Sequence, residues 1–260
     1  MSIFRHEMRR GRLSLIIWTA VIASMLALSV LIYPLMKAEM QNMSEMFADM
    51  GALSDAFSMD QLNFAEFSGY FALECGELLG LGGALFAAIL SIPMLSKEQR
   101  DGTADYLLTH PISRQRVMLE KLGAIIAQIL ILNICAAAVT VLCALIIGEK
   151  PDAKVFFMLF LAFLLVQIEI ACICFGISAF IKGSGIGIGI GLAVLLYFLN
   201  IVSNITKEAE FLKFITPFSY ADGAEIVRSA SIELKYLAVG AVLAIAGVAA
   251  AFLKYPKKDL

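Results

Sequence analysis

Six apolar runs, near residues 13–36, 70–95, 122–147, 155–181, 185–203 and 237–253, constrain this chain more than any other feature. About 20 residues at a rise of ~1.5 Å cross a hydrocarbon layer of ~30 Å, so each run predicts a membrane-spanning helix. The six together leave no room for a soluble domain. The expected fold is all-α: a polytopic membrane protein, with residues 1–260 forming a single transmembrane domain. Composition agrees, with 60% hydrophobic and 16% charged residues, where soluble domains carry about 25% charged.

The net charge of −2 says little, but the placement of charge orients the chain. Basic residues favour the cytoplasmic side of a membrane. Arg5, Arg9, Arg10 and Arg12 precede the first run, and Lys97, Arg100, Arg114, Arg116 and Lys121 lie between the second and third. Lys182 follows the fourth run, and Lys254, Lys257 and Lys258 follow the sixth. With both termini in the cytoplasm, these thirteen of the twenty basic residues share one side. The other side is rich in acids, among them Glu39, Glu45, Asp49, Asp55, Asp60 and Glu66. The first run is longer than a 7–15-residue signal core and no small-residue cleavage site follows it, so it is expected to be retained. Residues 1–12 predict a short interfacial helix: Ile3, Phe4 and Met8 dip into lipid while the arginines meet anionic head groups.

Catalytic machinery is hard to find. The only histidines are His6 and His110, both expected at the cytoplasmic surface, which argues against a histidine-dependent intramembrane hydrolase. Five cysteines lie within apolar runs, an odd count without framework spacing, and read as small hydrophobes. No metal site is expected. The glycine-rich run at 182–192 lacks the GK[ST] ending of a nucleotide loop, so no ATP site is expected in this chain. Gly185, Gly187, Gly189 and Gly191 instead belong to overlapping GxxxG pairs, which let helices approach closely in lipid and suggest a subunit interface.

Acids inside the membrane are few and cost a few kcal/mol each unless paired or wetted. Glu169 lies near the middle of the fourth run beside Gln167, and Glu74 and Glu77 lie one turn apart near the outer end of the second. They either line a translocation path or make interhelical hydrogen bonds. Gln128, Asn133 and Asn200 read as packing glue. In the first outer loop, residues 37–69, a stripe of Met36, Met40, Met43, Phe47, Met50, Leu53 and Phe57 at three- and four-residue spacing predicts an amphipathic helix. Methionine sulfur suits Cu(I), but no histidine or cysteine accompanies the stripe, so contact with lipid, a subunit or an amphiphilic substrate is the better reading. The second outer segment, 204–235, holds Pro217 and a short helix at 224–232, and has the character of a re-entrant piece.

One polar island interrupts the apolar pattern: residues 98–116, EQRDGTADYLLTHPISRQR, within a cytoplasmic segment at 97–121. Asp101-Gly102-Thr103 predicts a turn and helix start. Pro111 stops that helix and Ser113 caps the next. Tyr106, Leu107 and Leu108 form an apolar knob rimmed by charge, a shape suited to docking.

Glu98, Gly102-Thr103, Leu107-Leu108, Pro111 and Ser113-Arg114 resemble the pattern E…GT…LL…P.SR of ABC-2-type transporter permeases. The basic amino terminus, six spans, large first outer loop and re-entrant-like last outer segment fit the same family, so the resemblance covers essentially the whole chain. It implies that residues 98–114 form a coupling helix seated in a groove of a separate nucleotide-binding subunit, with Glu98, Gly102, Thr103, Tyr106, Leu107, Leu108, Pro111, Ser113 and Arg114 as the ATPase-contacting element. It further implies two ATPase copies that bind ATP and Mg, and a second permease subunit, identical or paralogous, packed through the first and fifth spans. Membrane lipids are expected partners and nucleic acid is not. The chain is then a non-catalytic subunit in the plasma membrane of a prokaryote, exporting a drug, antimicrobial peptide, lipid-like molecule or ion, in a multidrug or peptide resistance role. The alternative is an ion-gradient-driven secondary transporter or channel using its intramembrane carboxylates.

Overall fold

The computed structural model describes residues 3–48, 55–56, 62–64, 66–97, 102 and 113–257. Helix α1 spans Ile3–Ala48 and α2 spans Phe67–Ser91. Helix α3 is Arg114–Ile147, α4 Ala153–Ser178 and α5 Ile186–Ile205. Short 3-10 turns at Lys207–Phe214 and Pro217–Ala221 lead to α6, Gly223–Ser229, and then to α7, Leu234–Lys254. No strand occurs among the described residues. Helices α1 to α5 and α7 each carry a window long and apolar enough to cross a membrane.

Helix α4 sits at the centre: 56% of its apolar window is buried, against 17% for α7. It starts cleanly because Asp152 accepts hydrogen bonds from the amides of Lys154 (2.8 Å) and Val155 (3.2 Å), satisfying donors that the first helical turn leaves free. At its far end Gly176 meets Gly247 of α7 backbone to backbone, with no room for a Cβ on either. Small residues permit this close crossing where both helices lie in lipid. Helices α1 and α3 pack side by side, with Gly11 against Gln128 and Gly123 against Phe4. An aromatic cluster joins α1, α2 and α4 at the end remote from the termini: Tyr33 meets Phe67 edge-on at 5.3 Å, and Phe71 stacks on Phe156 at 5.4 Å.

Three expectations change in detail. Residues 3–12 do not form a helix of their own, because α1 runs unbroken from Ile3. Ile3 and Glu7 are buried, so this stretch is held by α3 as well as exposed on its other face. At its other end α1 continues past the expected span to Ala48, so the start of the methionine stripe extends the first span rather than beginning a new helix. Met36 is half-buried, and the side chains of Met40, Met43, Phe47, Met50, Leu53 and Phe57 lie outside the described residues. The second span, expected as a plain α-helix, contains a π-helix at Gly76–Gly82 between α-helical halves Phe67–Cys75 and Gly83–Ser91.

Candidate functional site

The polar island is rooted in the bundle at both ends. On the near side, Pro93 has no amide hydrogen and ends regular helix after Ser91. A tight turn follows, in which Lys97 N donates to Pro93 O at 2.9 Å. Leu95 N donates to Ser178 Oγ at 2.8 Å, and Ser96 Oγ donates to Gly183 O at 2.7 Å, tying the turn to the connection between α4 and α5. Lys97 reaches across to Glu7 of α1 in a hydrogen-bonded ion pair with side-chain exposures of 8% and 3%. Beside it the fully buried Lys121 of α3 donates to Met94 O at 2.7 Å. Removing one member of a buried ion pair generally costs about 3–5 kcal/mol, because the other is left as an uncompensated charge.

On the far side, Ser113 caps α3, its Oγ accepting from Arg116 N at 3.3 Å. Arg114 Nη1 donates to Pro256 O at 2.9 Å and to Tyr255 O at 3.5 Å, just past the end of α7. Arg116 pairs with Glu120 at 3.2 Å, and Glu120 Oε2 accepts from Phe4 N at 3.1 Å. A carboxylate placed on the free amides of a helix start is favourable. The root therefore links the island to α1, α3, the α4–α5 turn and the end of α7. Of the expected coupling residues the structure places Gly102, at φ +65°, together with Ser113 and Arg114. Glu98, Thr103, Tyr106, Leu107, Leu108 and Pro111 lie outside the described residues.

The intramembrane carboxylates do not converge. Glu169 is 4% exposed, and its Oε2 accepts from Tyr220 Oη at 2.9 Å. Among the described residues its Oε1 meets no donor. Gly240 of α7 lies so close that a Cβ there would overlap this carboxylate. Glu77 instead accepts from Tyr197 Oη of α5 at 2.6 Å. It lines a separate cleft of about 70 Å³ with Asn200, Phe163, Phe218 and Asp222. Organic ligands occupy pockets of roughly 300–1,000 Å³, so this cleft suits water rather than cargo. Glu74, one turn earlier, is half-buried.

One buried polar link joins three spans, and it pairs Asn133, read from the sequence as packing glue, with partners that spacing alone did not single out. Asn133 of α3 donates to Gln167 Oε1 at 2.6 Å, and Gln167 Nε2 donates to Leu79 O at 3.0 Å within the π-helix of α2. All of it is buried. Gly83 makes room, since a Cβ at that position would overlap the Gln167 amide. The available signal was the density of glycine at 76, 80, 82 and 83, unusual inside an apolar run.

The glycine run divides into two faces. Gly189 packs on Ile92 and Ala88 O of α2, and Gly185, at φ +60°, lies against Ile181 and Ile92. Around Gly187 and Gly191 a Cβ would meet nothing within 4 Å among the described residues.

Fold and geometry together define a multi-pass helical membrane subunit with a polar segment anchored between its second and third spans. The profile of the ABC-2 family transporter protein family matches residues 1–260, the whole chain, and the protein belongs to that family. It is therefore an ABC transporter permease subunit, a class that pairs with an ABC ATPase subunit. No curated protein matches the sequence.

Proposed function

We propose that this permease works as half of an ATP-driven exporter, with residues 98–114 as the helix that docks on the ATPase. The observation carrying this reading is the anchored root of that segment. Lys97–Glu7, Ser96–Gly183 and Arg114 with the carbonyls of 255 and 256 fasten it to α1, the α4–α5 connection and the end of α7. A push on a segment rooted in this way is shared among several spans and is not absorbed by a loose loop. Two ATPase copies bind ATP and Mg, and a second permease subunit packs against the face of α5 that carries Gly187 and Gly191. Both termini and the docking segment lie in the cytoplasm, which the distribution of basic residues favours. The cell membrane is that of a prokaryote, and the cargo is a drug, antimicrobial peptide, lipid-like molecule or ion moved outward.

Copurification from gently solubilised membranes tests the reading. An ABC ATPase is expected to accompany the wild-type chain and to be lost with Leu107→Asp, while membrane insertion of the variant is unchanged. Purified protein that never carries an ATPase would refute it.

A further inference from the structure

Alongside the close crossing of Gly176 and Gly247, α4 and α7 leave a groove of about 250 Å³. Its wall on α4 is Ile173, Gly176, Ile177 and Phe180, spaced three and four apart, and α7 supplies Leu243, Gly247 and Ala250 in the same way. Stripes with this period run along the helix axes for about two turns, or ~10 Å. The groove thus lies along the membrane normal, in the half of the bundle nearest the carboxy terminus, and among the described residues no charged side chain lines it. At its end Lys254 Nζ stands 6.0 Å from the centroid of the Phe180 ring, and both side chains are exposed. Lys182, also exposed, follows two residues after Phe180.

We propose that this groove binds one acyl chain of an anionic phospholipid, with its phosphate held at Lys254. The length is about two-thirds of a leaflet's ~15 Å hydrocarbon depth. The wholly apolar wall suits a chain and disfavours a polar cargo. A lysine at the level of the head groups supplies the matching charge. The glycines at the crossing hold the two helices together at the mid-length of the groove while leaving it open at the side. The site is independent of the ATPase and of the direction of transport.

Native mass spectrometry of the purified full-length protein tests it, using phosphatidylglycerol and phosphatidylcholine with identical chains. The wild type is expected to retain one phosphatidylglycerol per chain about five-fold more tightly than phosphatidylcholine, the preference that one basic residue at an anionic surface supports. Lys254→Gln should bring the two lipids to parity. Ala250→Phe, which fills the groove, should remove the retained lipid of either kind. If Ala250→Phe fails to fold, Leu243→Trp is the second filling variant. Equal retention of both lipids by the wild type, or unchanged retention by a folded groove-filling variant, would overturn the proposal.

Discussion

The ion pair between Lys97 and Glu7 offers the sharpest energetic test of the anchored root. Lys97→Met leaves the Glu7 carboxylate, 3% exposed, without its cation. The expected loss is about 3 kcal/mol, the lower part of the range for breaking a buried pair, because Lys97 retains some contact with solvent. At ~2–4 °C per kcal/mol for a chain of this size, the melting temperature falls by roughly 6–12 °C. Glu7→Leu should fall by a similar amount, since it strands Lys97 beside the sulfur of Met94, 3.3 Å away. The double variant should recover to within about 1 kcal/mol of wild type, as apolar replacements of buried pairs do. Thermal unfolding in detergent, followed by fluorescence of the chain's single tryptophan, Trp18, measures all four proteins. If the two losses simply add in the double variant, within about 0.5 kcal/mol, the side chains are uncoupled and the root is not held by this pair.

Other predictions concern the interior and the two faces of α5. Gly189→Ala places a Cβ 3.1 Å from Ile92 Cγ2 and 3.2 Å from Ala88 O, so it should destabilise by about 1 kcal/mol. Gly187→Ala meets nothing among the described residues of its own subunit, so by thermal unfolding of the monomer it should be neutral or slightly stabilising, by up to about 1 kcal/mol. Gln167→Leu removes both hydrogen bonds of the Asn133–Gln167–Leu79 link, and about 2 kcal/mol should be lost in the same assay, at ~1 kcal/mol per bond. Glu169→Gln keeps an acceptor for Tyr220 and should leave ATP hydrolysis by a reconstituted complex unchanged. Transport that needs no ATPase and disappears with this substitution would instead favour an ion-gradient-driven carrier.

The broad architecture was legible because lipid imposes one requirement on every span: long apolar runs with internally satisfied backbones. All six runs are helices, and Ser113 caps α3 where the Pro111–Ser113 punctuation placed a helix start. Family membership was legible through a short polar pattern that apolar periodicity cannot mimic. What escaped the sequence was pairing across distance. Nothing near Glu7 in the chain points to Lys97, ninety residues on. Glu169 drew attention as the charged member of the Gln167–Glu169 pair, yet Gln167 carries the larger network. The π-helix was hidden because an extra residue in a turn leaves hydrophobicity unchanged and shows only as crowded glycines. Continuity of α1 through residues 3–12 is not legible because the arginines suggest a surface element, whereas Ile3 and Glu7 on the other face pack into the protein.

Residues 98–114 are proposed to deliver the force of a separate ATPase to this bundle. A photo-crosslinking amino acid at Leu107, activated in membranes of the native cell, tests it most directly. The expected product is one adduct with an ABC ATPase, weakened when Lys97→Met loosens the root. Adducts confined to lipid or to other membrane proteins, with the ATPase absent, would contradict it.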